Sequence, residues 1–395
     1  MKYVQLNKGA EKRLKQGHLW IYSNEIDVKK TPLKSFEPGE QVQVKTSADK
    51  VMGTAFMSPA SLIAGRIISR DPNQLMDQSL ITHRLNVALS LRQNVFSEPS
   101  YRLVFGDSDR LPGLVIDRFA DVYVVQISSV GMEVLKTEII AALDKVCKPK
   151  NIIFKNNGKM RSSEELEAYV EVAKGDDIKD AEFTENGVKF IAPIVEGQKT
   201  GWFFDHRMNR ARLKDYVKGK RVLDLYSYVG GWGIQAAAFG AESVTCVDSS
   251  TLALDYVIKN AELNNLQDKV DCIEGDVFEV CKKLKEMDER YDVVIVDPPA
   301  FIPRRKDQKA GELAYQRLNQ LAMRLLGKDG LLVSASCSMH LSKEALVKAV
   351  SLAGQTLEKQ LQILEQGGQG PDHPIIPIIP ETDYLKAIFV RVLPA

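Results

Sequence analysis

The spacing of apolar and polar positions divides the chain into three stretches of different rhythm. Up to about residue 75 the apolar runs are short and partly alternating. Gln41–Thr46, Val51–Met57 and Leu62–Ile68 read as strands, bounded by the turn signals Pro-Gly-Glu, Ala-Asp-Lys and Ser-Pro-Ala-Ser. A short basic helix is expected within Lys8–Trp20, ending near Gly17. So short a sheet closes most readily as a small barrel. Arg66 and Arg70 then lead into a polar linker. Residues 76–190 read as an α+β domain. Its helices are predicted at Ile81–Val95 and Met132–Val146, and its strands at Val122–Ile127 and Asn151–Phe154. Short apolar runs at Val104–Phe105 and Leu114–Ile116 flank a turn-rich segment. Glu164–Asp180 reads as polar surface, and Phe183–Thr184 with Val188–Ile191 as a hairpin about Asn186-Gly187.

From residue 191 to 395 strands and helices alternate. Strands at Arg221–Leu225, Ser243–Val247, Val270–Glu274, Tyr291–Val296 and Gly330–Ala335 are separated by helical segments of about three turns. That alternation predicts an α/β domain with a parallel sheet covered on both faces. Two final strands, near Gln360–Glu365 and Tyr384–Val392, have no helix between them and are expected to close one edge antiparallel.

Composition narrows the function classes. Hydrophobic content of 44% and charged content of 27% are those of a globular protein. The N-terminus shows no basic start followed by an apolar stretch, and no window reaches a membrane span, so a cytoplasmic protein without membrane contact is expected. The five cysteines are scattered and odd in number, with no Cys-x-x-Cys pair, which suits a reducing compartment. None of the five histidines falls in zinc-ligand spacing, so no metal site is expected. The net charge of +1 does not exclude nucleic acid, because placement matters more than the total. Residues 1–75 carry 12 Lys or Arg against 7 Asp or Glu, a local net of +5.

The candidate chemistry lies at predicted strand ends. Val222–Gly233 reads VLDLYSYVGGWG, with Gly230, Gly231 and Gly233 in a turn between strand and helix. A dinucleotide site would put its glycines directly after the strand to meet a pyrophosphate. Here Asp224 precedes the turn, and a carboxylate there suits a ligand with a cationic amino group, favouring S-adenosyl-L-methionine over NAD. Asp248 ends the second strand, where an acid can accept ribose hydroxyls, and Asp276 ends the third, where an adenine amino group can be read. Asp297 follows the fourth strand in Asp-Pro-Pro-Ala-Phe, a stiff loop suited to the edge of a flat, flipped base.

The fifth strand runs into Ser-Cys-Ser-Met-His, which brings Cys337 beside the Asp297 loop. A thiolate adding to carbon 6 of a pyrimidine makes carbon 5 nucleophilic enough to attack a sulfonium methyl. Asp297, sharing a proton with ring nitrogen N3, would stabilise that adduct. Cys246 and Cys272 read as core, and His340 as a polar loop residue. The segment Gly197–Arg210, GQKTGWFFDHRMNR, mixes aromatics with Asp205, Arg207, Asn209 and Arg210 and suits a lid over cofactor or nucleic acid.

In combination these motifs, with the early KGAEKRLKQGHLWIYSNEI, resemble the bacterial large-subunit ribosomal RNA (cytosine-5)-methyltransferases of the RlmI type, over the whole chain. The resemblance implies an N-terminal PUA-like RNA-binding β-barrel (1–75), a central α+β domain (76–190) and a C-terminal Rossmann-like class I methyltransferase domain (191–395). It implies S-adenosyl-L-methionine as cofactor, Cys337 and Asp297 as catalytic residues, and large-subunit ribosomal RNA as partner. Cofactor contacts are then expected at Asp224, Tyr226, Gly230, Asp248, Asp276, Asp297, Phe204 and Arg210. Pro299 and Ala300 stand where many RNA cytosine-5 enzymes carry a second cysteine. Two other readings stay open here. One is a methyltransferase for an exocyclic nitrogen such as guanine N2, with Cys337 structural. The other is a non-catalytic RNA-binding or assembly factor. Symmetric dimers are common and a homodimer is one possible assembly, but no sequence feature establishes it.

Overall fold

Alternation sends Val42 and Val44 of Gln41–Lys45 to one face, and both are fully buried. In the computed structural model, which describes residues 1–394, this strand lies in a five-stranded sheet. The order is Tyr3–Gln5, Gln41–Lys45, Val51–Met57, Ile63–Ser69, Trp20–Tyr22. Chain next to the two edge strands pairs through a Leu6–Ile26 bridge, and Asn7 N–H to Glu25 O and Asp27 N–H to Gln5 O, both 2.8 Å, close the sheet into a barrel. Gly53, at φ 143°, is required where the barrel wall folds close, since a Cβ there would collide with the Ser69 carbonyl oxygen. The expected helix is only Glu11–Lys15. Tyr3–Gln5 and Trp20–Tyr22 escaped the pattern because three residues are too few to show alternation.

The next sheet has the order Tyr169–Lys174, Asn151–Asn156, Val122–Ile127, Leu114–Phe119, Ser100–Phe105. Its neighbours are antiparallel except Val122–Ile127 with Asn151–Asn156, whose crossover carries the helix Lys136–Cys147. Tyr169–Lys174 falls in the stretch read as polar surface. It is an edge strand that keeps its charged positions outward. Phe56 and Ile68 of the barrel share one apolar cluster with Ile81, Leu103, Ile116 and Ile139, so barrel and α+β region form a single unit. Arg92 ties this unit together. Its fully buried guanidinium pairs with Asp109 through two 2.7 Å bonds and also donates to Arg102 O and Asp372 O.

The second unit holds Glu182–Pro193, Phe203–Gly370 and the chain from Asp383 onward. Its sheet contains β1 (Arg221–Leu225), β2 (Ser243–Asp248), β3 (Val270–Glu274), β4 (Tyr291–Val296), β5 (Leu326–Ser336), β6 (Lys359–Gly367) and β7 (Lys386–Pro394). The order is β3-β2-β1-β4-β5-β7-β6; the first five strands are parallel, and β7 runs antiparallel between β5 and β6. Helices α1 (Gly231–Ala238) and α2 (Thr251–Leu263) cover one face. Helices α3 (Val277–Glu286), α4 (Gln308–Arg324) and α5 (Lys343–Thr356) cover the other, where Leu223, Leu225, Val294, Val296 and Leu332 form the core. The hairpin Ala181–Glu185/Val188–Ala192 turns on Asn186 and Gly187, both at positive φ as its Asn-Gly pair demands. Sequence grouping put it with the middle stretch. Its backbone instead bonds to side chains of α2 and the residue that caps it, Ile191 N–H to Asn260 Oδ1 at 2.7 Å and Lys189 N–H to Asn264 Oδ1 at 3.1 Å. Among the described residues no helix is long and apolar enough to cross a membrane.

Replacing Arg92 with Ala strands Asp109 in a dry site. We expect the loss of about 3–5 kcal/mol from the first unit, read as a lower midpoint in urea unfolding. An unchanged midpoint would show that the network adds nothing to stability.

Candidate active site at the strand ends

The five parallel strands deliver their C-terminal ends to one edge, and the order reverses at β1 and β4, which opens a crevice there. Since Leu223 and Leu225 face α3–α5, alternation points Asp224 beneath α1. There its Oδ2 accepts the Gly233 N–H at 2.8 Å, a bond only glycine permits. A Cβ at 233 would sit 2.6 Å from Cys246 Sγ and 3.1 Å from that same Oδ2. Gly230, at φ 85°, caps α1 in the left-handed region. Tyr226 and Tyr228 also adopt positive φ, an unfavourable state for such residues that the loop imposes. Ser227 N–H to Val247 O at 3.0 Å and Tyr228 N–H to Asp248 Oδ2 at 2.9 Å hold it.

The acids at this edge fit a cationic ligand. Burial pushes the Asp224 carboxyl up to about 8 against the Gly233 hydrogen bond, and the negative charges of Asp297 and Asp248 push the same way. Its Oδ1 is buried with no hydrogen-bond partner, an acceptor a nearby positive group would satisfy. Asp248 is oriented by the Tyr228 and Ser250 N–H groups, both at 2.9 Å, and carboxylate lone pairs remain for ribose hydroxyls. Asp276 is exposed and caps α3 through Glu279 N–H at 3.2 Å. The half-buried Tyr226 ring lies within the field of Asp276 and Asp248 and meets Phe301 edge-on at 6.5 Å. S-adenosyl-L-methionine, carrying a sulfonium, an ammonium, a ribose diol and an adenine, matches this set.

Asp297 anchors the lid-like segment. Its Oδ1 lies 3.2 Å from His206 Nε2, and its Oδ2 accepts Trp232 Nε1–H at 3.0 Å. Burial would raise this carboxyl, but the close His206 ring and the Trp232 hydrogen bond outweigh it and hold it below its ordinary range. Asp297 is therefore ionised. It can accept a proton-bearing N3–H of an adduct but has no proton of its own to share. Two expected contacts take other roles. Phe204 is fully buried, edge-on to Phe183 at 5.7 Å, and offers no surface to a ligand; Phe203, 5.5 Å from the Tyr228 ring, reaches the glycine turn instead. Arg210 is buried in a two-bond pair with Glu185 at 2.7 and 2.9 Å and donates to Phe203 O, so it fixes the segment to the hairpin. His206 and Trp232 went unread because their meeting with Asp297 is a tertiary event, although His206 lies inside the motif singled out.

Cys337 is half-buried between two buried serines. Ser336 Oγ donates to Tyr315 OH at 2.8 Å, Ser338 Oγ lies 2.9 Å from the same hydroxyl, and Ser338 N–H donates to Ser336 Oγ at 3.1 Å. Ile302 N–H reaches Ser338 Oγ at 3.3 Å, joining the Asp297 loop to the Cys337 loop. Lys386, opposite Ser336 on β7, donates to Ser338 O at 2.6 Å and Tyr384 O at 2.8 Å. Burial pulls its ammonium down to about 8, while negative charge at Cys337 and Asp383 pulls it back up. The other four thiols are all pushed upward, by burial first. Tyr315 and Lys386 carried no sequence signal, being an ordinary helix residue and the first residue of the last strand.

The family described as PUA-like domain matches residues 4–70, and that described as S-adenosylmethionine-dependent methyltransferase matches residues 159–376. The chain is 35% identical over 397 residues to the ribosomal RNA large subunit methyltransferase I of Erwinia tasmaniensis, covering 98% of each chain. It is 35% identical to the protein of that name from Aliivibrio fischeri, covering 99% of each. Among solved structures it is similar to a methyltransferase candidate from Streptococcus mutans at a TM-score of 0.82 and 22% identity, covering 99% of this chain and 100% of that one. A tRNA m1G37 methyltransferase from M. jannaschii follows at 0.52 and 19%, covering 72% and 77%, a likeness of fold alone.

Two outcomes are expected of this geometry. A cation beside Asp224 favours its carboxylate, so binding of S-adenosyl-L-methionine releases a proton. Affinity by calorimetry should then rise as pH climbs from 6 toward 8 and level off above, by at most about tenfold per pH unit, and lose that slope in Asp224→Asn. A flat wild-type profile would detach Asp224 from the ligand. Replacing Lys386 with Met should raise the pH midpoint of Cys337 alkylation by iodoacetamide, mapped by peptide mass, by about one unit or more. An unmoved midpoint would show that Lys386 does not act on the thiol.

Proposed function

Because the chain belongs to the ribosomal RNA large subunit methyltransferase I family of S-adenosylmethionine-dependent methyltransferases, we propose that it methylates carbon 5 of a cytidine in large-subunit ribosomal RNA through a covalent adduct on Cys337. The observation that carries this reading is the hydroxyl network of Tyr315, Ser336 and Ser338. It presents the half-buried Cys337 beside the Asp297 loop while the remaining thiols are held protonated. S-adenosyl-L-methionine, when bound, supplies the electrophilic methyl group. Asp248 and Asp276 would accept its ribose and adenine donors, and Asp224 would balance its positive charge.

The protein's own residues then act in sequence. The Cys337 thiolate forms a bond to carbon 6 of the cytosine, and the displaced π-electron pair makes carbon 5 nucleophilic. As that pair is drawn through the ring, N3 takes up a proton from solvent, and the ionised Asp297 accepts the N3–H hydrogen bond. His206 and Trp232 keep that carboxylate oriented before the base arrives, so little reorganisation accompanies the step. Once carbon 5 carries its methyl, its proton passes to solvent, which returns an electron pair to the ring, and N3 gives back the proton it took up. The sulfur–carbon 6 bond breaks, and Cys337 leaves as thiolate. The N-terminal barrel supplies the RNA grip, through phosphate and shape contacts.

The test uses labelled S-adenosyl-L-methionine, unmodified large-subunit ribosomal RNA and nucleoside mass spectrometry. The expected product is 5-methylcytidine, and Cys337→Ala should lower its formation by at least about a thousandfold with cofactor binding kept. A methylated guanosine would replace this reading with exocyclic-nitrogen transfer. Near-normal 5-methylcytidine from Cys337→Ala would remove the covalent step.

A further inference from the structure

The N-terminal barrel carries a pocket that the catalytic reading does not use. Helix Glu11–Lys15, the chain just after it and the strands Val51–Met57 and Ile63–Ser69 enclose a cavity of about 270 Å³. Its wall divides by chemistry. Leu14 and Leu19 are buried, and Val51, Met52 and Ile67 half-buried, making an apolar floor. Lys15, Lys50, Arg70 and Arg110 are exposed and make a cationic rim, with no acidic residue in the lining. His18 is buried beside them, and its Nδ1 accepts the Trp20 N–H at 3.1 Å, which leaves that nitrogen without a proton. Burial and then the Arg13 charge hold its pKa below the ordinary value, so it adds a neutral polar edge.

The rim cations differ from five of the other arginines of this unit. Arg13, Arg66, Arg92, Arg102 and Arg161 each pair with a carboxylate at 3.0 Å or less. Among the described residues none of the four rim cations has a carboxylate within ion-pair distance, and Arg70 makes only a 3.4 Å contact with Leu14 O. Arg110 is also pinned. It takes the left-handed conformation at φ 63°, and its carbonyl oxygen accepts from Arg84 behind it. Burial and the Arg70 charge depress Arg110 against the opposing pull of Asp107, and burial and the Arg110 charge depress Arg84 to about 10, so crowding of cations outweighs the one acid nearby. An anion at the rim relieves that repulsion. Phosphate alone would leave the floor unused, whereas a flat ring covers it. A base paired and stacked in a duplex cannot reach such a floor, but an unpaired one can.

We propose that this pocket takes one unstacked nucleotide of RNA, its base on the Leu14–Ile67 floor and its flanking phosphates on Lys15, Lys50, Arg70 and Arg110. The proposal rests on the RNA reading above and adds to it a recognition point for single-stranded or looped substrate, apart from the target cytidine.

The experiment measures binding of the full chain to a fluorescent single-stranded oligoribonucleotide and to the same sequence as a duplex, by anisotropy across a salt series. The double variant Arg70→Ala/Arg110→Ala should bind the single strand at least about tenfold more weakly. Its slope of log affinity against log salt should fall by about 1.4, or about 0.7 for each phosphate no longer neutralised. Met52→Asp should weaken the single strand similarly, with calorimetric binding of S-adenosyl-L-methionine unchanged in both variants as the check on folding. A 4-thiouridine oligonucleotide should crosslink to peptides containing Leu14–Leu19 or Lys50–Met52. Unchanged affinity and slope in the variants, with wild-type binding intact, would overturn the pocket and leave the RNA reading standing. So would equal losses for single strand and duplex, or a poly-glutamate peptide binding as well as the oligonucleotide. Wild-type protein that binds no RNA would overturn the RNA reading and this proposal together.

Discussion

Five parallel strands that end along one sheet edge are the constraint on which the rest of the site depends. A parallel strand must return through a helix, so every strand leaves the sheet in the same direction and its last residues meet those of its neighbours. Asp224, Asp248, Asp276, Asp297 and Cys337, far apart in the chain, converge for that reason. The register is tight: Leu225 pairs with Val247 and Val296, and Val296 with Ser334. One residue of slip would turn Asp224 from α1 toward the apolar face and break its bond to Gly233.

That convergence creates an electrostatic problem that the surrounding groups divide unequally. Asp297 is stabilised as an anion by His206 and Trp232, and Asp248 by two backbone N–H groups. Asp224 has one backbone donor, no solvent and two negative neighbours, so its carboxyl is pushed up. The acids at this edge thus lack matching positive charge, most of all around Asp224. On the far side of β4 the chemistry is different. The Cys337 loop is held by neutral hydroxyls and one buried lysine, which restrain the backbone on both sides of the sulfur without enclosing it.

How far the sequence was readable follows from the range of the interactions involved. Strand ends could be read because a run such as Tyr-Asp-Val-Val-Ile-Val announces a buried strand and its exit residue together. The lid-like segment could be found but its residues could not be assigned. Phe204 and Arg210 look outward in a one-dimensional reading, yet the hairpin supplies Phe183 and Glu185 to cover them. The edge strand Tyr169–Lys174 was missed because one exposed face hides its alternation, and the barrel's three-residue strands because they are held by partners rather than by pattern.

Sequence alone determined the order of the elements, the parallel sheet, the acids and the cysteine at its edge, and the type of cofactor. Those depend on periodicity and on turn chemistry, which act over a few residues. Tertiary structure alone decided that Asp297 is clamped and ionised, that Tyr315 and Lys386 flank Cys337, that the hairpin belongs with the second unit, and that four cations share the rim of one pocket. Each depends on groups brought together from distant parts of the chain, and burial sets their charge and their partners only after the chain has folded.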